Sequence, residues 1–139
     1  METQLEYLSF NSDKSIDELL YTMKQTELHL KNIETELRFL KFLIDARIYK
    51  EKVMNLFENL TLFDKKVDRF LNEIEDALME LNNQTNLISK KIECEDLECD
   101  AFFINEHNKI ESEFFNLIKK SSIVKLELFQ YLKSVIKNV

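Results

Sequence analysis

The sequence predicts an all-α fold: an elongated antiparallel bundle of about three long helices with coiled-coil packing. Three observations carry this expectation. The 139-residue chain contains no glycine and no proline. Glycine supplies the positive φ of tight turns and hairpins, and proline punctuates loops. Sandwiches, Rossmann folds and phosphate-binding loops are therefore hard to build here, whereas long helices need neither residue. Second, 45% of the residues are hydrophobic and 11 are phenylalanine, ample for a core and unlike the composition of disordered chains. Third, apolar residues recur at intervals of seven over long runs, the signature of helices that pack side by side.

The elements follow in chain order. Residues 1–14 are weakly patterned and read as a loosely ordered N-terminal segment. Ser15-Ile16-Asp17-Glu18 then forms a capping box, in which Ser15 accepts from the Glu18 amide and Glu18 reaches back to Ser15. Ile16, Met23, Leu30, Leu37 and Ile44 follow at a strict spacing of seven, with Leu19, Thr26, Ile33, Leu40 and Arg47 three residues after each. This predicts a first helix over about 15–58. Phe39, Leu40, Phe42, Leu43, Ile44, Ile48 and Tyr49 cover a wide arc of it, and a helix apolar most of the way round must be buried on more than one side.

Val53, Leu60, Val67, Ile74, Leu81 and Ile88 make a second run of sevens. Ile44 and Val53 are nine residues apart, so the two runs are out of phase by two. The helix therefore changes face near Tyr49–Lys52 or breaks. The favoured break lies at Asn55–Thr61, where Thr61 is placed to cap a new helix, predicted over about 61–92. Glu93, Cys94, Glu95, Asp96, Glu98, Cys99 and Asp100 show no helical stripe and read as an acidic loop over 93–100. A third helix is expected over about 101–137. Its stripe is Phe103, His107, Ile110, Phe114, Leu117, Ser121, Val124, Leu128, Tyr131 and Val135. Ser121-Ser122 is the place where it would break, if it does. A second stripe lies alongside: Phe115, Ile118, Phe129, Leu132 and Ile136. These five residues are the expected protein interface, because they exceed what a single inward face requires.

Chemistry finds little support. Cys94, Cys99 and His107 fall short of the four ligands of a structural zinc site, and the remaining histidine, His29, lies on another segment. A disulfide is disfavoured in the reducing compartment the sequence suggests. His107, on an apolar stripe, reads as a half-buried histidine bonded to a neighbour. No Glu-x-x-His pair occurs for a di-iron bundle, and two histidines without glycine leave no basis for a catalytic triad. No catalytic residue, metal or cofactor is expected.

The formal charge is −7 with a pI near 5.0, which disfavours nucleic acid. Charge is uneven, however: Lys119–Lys137 is basic and apolar together, a combination seen in helices that lie on membranes. Met1–Phe10 lacks the basic start of a signal peptide, and no apolar run approaches the length that spans a bilayer. The expected function is a non-catalytic, intracellular scaffold or adaptor that binds another helical chain or itself; a peripheral membrane module built on the C-terminal helix is the alternative.

Overall fold

The computed structural model describes residues 6–9, 15–90 and 97–138. Among them are three helices: α1 (Ile16–Asp45), α2 (Leu56–Lys90) and α3 (Leu97–Val135). The architecture is an all-α bundle running up, down and up. Arg38 of α1 reaches Glu75 of α2 at 3.0 Å, while Lys41, one turn later, meets the earlier Asp64 and Asp68, so α1 and α2 are antiparallel. Asn59, near the start of α2, bonds Tyr131, near the end of α3. Glu36 pairs with Lys125 and Lys50 with Ser134, so α1 and α3 run parallel.

The predicted cap starts α1. The Ser15 hydroxyl accepts from the Glu18 amide at 3.2 Å, satisfying one of the amides a helix start leaves open. The Glu18 carboxylate accepts from the Ser15 hydroxyl, whereas the capping box read from the sequence has it accept from the Ser15 backbone amide. Asp17 and Glu18 place negative charge at the positive end of the helix dipole.

The first helix does not reach residue 58. It ends at Asp45, and Ala46 turns to extended backbone. Ile48–Lys50 instead pairs with the far end of the chain. The Lys50 amide donates to the Val135 carbonyl and the Lys137 amide to the Ile48 carbonyl, both at 2.8 Å. Tyr49 and Ile136 thereby form an antiparallel bridge. The reversal needs left-handed residues, and without glycine they fall to Lys52 (φ 62°) and Asn55 (φ 57°). Asparagine accepts that conformation more readily than most side chains; for lysine it costs roughly 1–2 kcal/mol. The two-residue phase slip between Ile44 and Val53 marks this connection. Thr61 caps nothing: it sits inside α2 and donates to the Phe57 carbonyl.

One further boundary differs from the sequence reading. Leu97–Asp100 is the opening turn of α3, not loop. Residues 93–96, Cys94 included, lie outside the described residues, as do 1–5 and 10–14 of the N-terminal segment. Helix α3 also passes through Ser121-Ser122 unbroken. Ser121 is fully buried, and its hydroxyl is satisfied by the Ile118 carbonyl at 3.0 Å.

The first run of sevens forms the core almost as spaced. Met23, Leu30, Leu37 and Ile44 are buried with Ile33 and Leu40; they meet Val67, Phe70, Ile74, Leu81 and Ile88 from α2, and Ile110, Phe114, Val124 and Leu128 from α3. Each fully buried aliphatic side chain contributes about 1.5–3 kcal/mol relative to exposure. Phe39 and Phe42, off these positions, are exposed and stacked on each other. Leu37→Ala should therefore lower unfolding free energy by about 2–5 kcal/mol, whereas Phe57→Ala, at a position 78% exposed on α2, should change it by about 0.5 kcal/mol or less. Urea unfolding followed by circular dichroism measures both.

Candidate interaction surface

The five residues expected to form an interface do not share one free face. Leu132 is 3% exposed and belongs to the core. Ile136 is half-buried against the core and paired with Tyr49. Phe115 and Ile118 are half-buried near the middle of α3. Phe129 alone of the five is exposed, at 47%. The cause is geometric: α3 packs against both α1 and α2, so it needs an apolar arc wider than one stripe. Most of the second stripe is the edge of that arc.

Phe115 and Ile118 line a groove of about 350 Å³ with Phe114, Thr26 of α1, Glu111, and Glu6, Tyr7 and Leu8 of the N-terminal segment. The segment is held there by specific contacts. The Tyr7 ring packs on Phe115 with centroids 5.8 Å apart, and its hydroxyl donates to Glu111 Oε1 at 2.9 Å. Ser9 donates to Asn108 at 2.8 Å. The other Glu111 oxygen, Oε2, lies 2.7 Å from His107 Nε2. His107 is thus buried and bonded to a neighbour one turn along, and among the described residues its Nδ1 has no hydrogen-bond partner. The Tyr7 phenol is pushed up to about 12 by burial first, then by the bond it gives Glu111 and by that carboxylate's charge. Sequence reasoning missed Tyr7. It stands in a segment without periodicity, and nothing in its neighbours marks it.

Most charged groups elsewhere lie at the surface. Lys41 is held above the ordinary lysine pKa by its bonds to Asp68 and then Asp64. Glu80, at the α2–α3 seam, is pushed up by burial and then by the charge of Glu113. Exposed ion pairs of this kind contribute little, about 0–1 kcal/mol each. Among the described residues no group of three or more His, Cys, Asp or Glu side chains is placed to hold a metal ion.

Large apolar side chains stand on all three outer faces. Tyr21, Leu28, Phe39 and Phe42 are exposed on α1; Phe57, Leu62, Met79 and Leu87 on α2; Phe102, Ile123, Leu126 and Phe129 on α3. Exposed Lys120 and Lys133 flank the last group. No helix among the described residues is long and apolar enough to cross a membrane. No protein-family model matches the chain, and neither a curated protein nor a solved structure matches it.

The Tyr7–Glu111 bond has a defined pH window. A raised phenol pKa means that the folded state holds the proton more tightly than the unfolded state. The resulting stability is complete below the ordinary value of 10.0 and is lost as pH rises through about 12. Tyr7→Phe should therefore cost about 0.5–1.5 kcal/mol at neutral pH. The gap to wild type should close toward pH 12, read from denaturation midpoints at stepped pH.

Proposed function

We propose that the chain is an intracellular, non-catalytic helical scaffold or adaptor, a complex subunit that assembles with another helical chain or with itself through coiled-coil or bundle contacts. The observation that supports this reading is the apolar surface left over once the core is complete. Leu30, Leu37, Leu40, Ile74 and Leu128 already seal the bundle, yet phenylalanines and leucines remain exposed along helices 30 to 39 residues long. Scattered single exposures are ordinary on a soluble surface, whereas aligned ones mark contact sites. Long helices also offer the extended, shallow faces that partner helices occupy by placing one apolar stripe against another.

One observation favours the membrane alternative. Ile123, Leu126 and Phe129 are exposed on the same helix as the exposed Lys120 and Lys133, which pairs apolar area with positive charge as interfacial helices do. The net charge of −7 weighs against it, because the rest of the surface is repelled by anionic lipid.

Light scattering combined with co-purification from native extract tests the scaffold reading. The expected result is a self-associated species or a stoichiometric helical partner; a strictly monomeric chain with nothing bound refutes it. Co-sedimentation with vesicles containing anionic lipid tests the alternative. Salt-sensitive binding that Lys120→Glu and Lys133→Glu weaken would establish the membrane module in its place.

A further inference from the structure

Helix α1 carries a second seam. On the face diametrically opposite its core positions, Tyr21, Leu28, Phe39 and Phe42 are between 58% and 68% exposed. Gln25, Asn32 and Thr35 fill the places between them and are exposed as well. The spacing along this line alternates four and three, and no charged residue interrupts it from Tyr21 to Phe42. The line is about 32 Å long and spans three heptads, the length at which a paired coil becomes credible. The inner seam of Met23, Leu30, Leu37 and Ile44 occupies the opposite position of the same heptad. This helix is therefore patterned on two faces, and the bundle covers only the inner one.

We infer that the outer face of α1 is the seam of a parallel homodimer, occupied by the same face of a second copy of this chain. The inference rests on the scaffold reading above and names its surface and partner. Charge selects both the occupant and its direction. One edge of the stripe carries Lys24, Lys31 and Arg38 at intervals of seven; the other carries His29 and Glu36. In an antiparallel pair like edges face each other, so the three cations of one copy would line up against the three of its partner. In a parallel pair each cationic edge faces the opposite edge of the other copy. Lys31, bonded to Glu27 of its own helix, then lies beside the partner's Glu36, which pairs with Lys125, so the contact joins two existing ion pairs into a network, and symmetry makes it twice. Asn32 falls at the seam position where a buried asparagine fixes register in parallel coils.

Area agrees with this assignment. An aromatic side chain exposed to this extent offers roughly 100–150 Å². Fully covered, the four apolar residues of two copies would remove about 1,000 Å² from water, the threshold of a specific interface, before the uncharged polar residues are included. Each of the four projects from the surface of an otherwise complete bundle, so binding needs no rearrangement of the core.

The test uses the full chain. Sedimentation over the micromolar range should show a dimer for wild type. Leu28→Lys with Phe39→Lys should weaken it at least about 100-fold by burying charge in the seam, with helicity preserved because both positions are exposed. Gln25→Cys, in a chain carrying Cys94→Ser and Cys99→Ser, should oxidise to a covalent dimer, since symmetry places that position against itself only in a parallel pair. A wild-type monomer overturns the inference, while a different helical chain found on it would leave the scaffold reading standing. A dimer that survives the double lysine variant also overturns it, by placing self-association elsewhere. A dimer that the lysines break but the cysteine does not cross-link overturns the parallel arrangement.

Discussion

Three long helices close around one core only if each turns the same face inward along its whole length. That constraint organises this molecule. Met23, Leu30, Leu37 and Ile44 keep one side of α1 turned inward over most of its thirty residues. When the repeat slips by two residues between Ile44 and Val53, a continuous helix would swing its apolar stripe out of the core. The chain reverses there instead, and α2 begins in a register that buries Leu60, Val67, Ile74 and Leu81. The reversal is made without glycine, at the cost of left-handed backbone at Lys52 and Asn55. Burial along the whole of two helices, at about 25 cal/mol per Å² of apolar surface, outweighs that local strain.

The fold was largely legible in the sequence because a period of seven is a long-range signal that single substitutions do not erase. The capped start at Ser15, the three helices and most of the core can be read from it. Boundaries were less legible. Ending α1 at Asp45 depends on a pairing between Ile48–Lys50 and Val135–Lys137, which local pattern cannot show. The acidic run looks like loop by hydropathy, yet Leu97–Asp100 opens α3. The interface residues suffered from the same ambiguity. An apolar stripe beside another can be the rim of a wide core or a free surface, and only packing separates Leu132, which is buried, from Phe129, which is exposed. Tyr7 had no signal at all, since its role depends on Glu111 and Phe115 more than a hundred residues away.

The surface is where helix α1 departs from the economy of the rest. Its flanking charges are tied down within the bundle: Arg38 to Glu75 on one side, Glu36 to Lys125 on the other. These pairs add little stability by themselves. They do hold the charged edges apart, so the uncharged line between them stays open toward solvent. The proposed self-association therefore uses a face that the fold presents ready-made.

The bridge between Tyr49 and Ile136 has a kinetic corollary. It joins strands of backbone separated by almost the whole of α2 and α3, with Lys50 reaching Ser134 across 84 residues of sequence. As the chain leaves the ribosome, the α1–α2 hairpin can collapse early on neighbouring contacts. The latch waits until Val135 and Lys137 have been synthesised. Closing so long a loop is an entropic toll taken late, and until then the end of the hairpin is an unpaired backbone edge of the kind that chaperones shield.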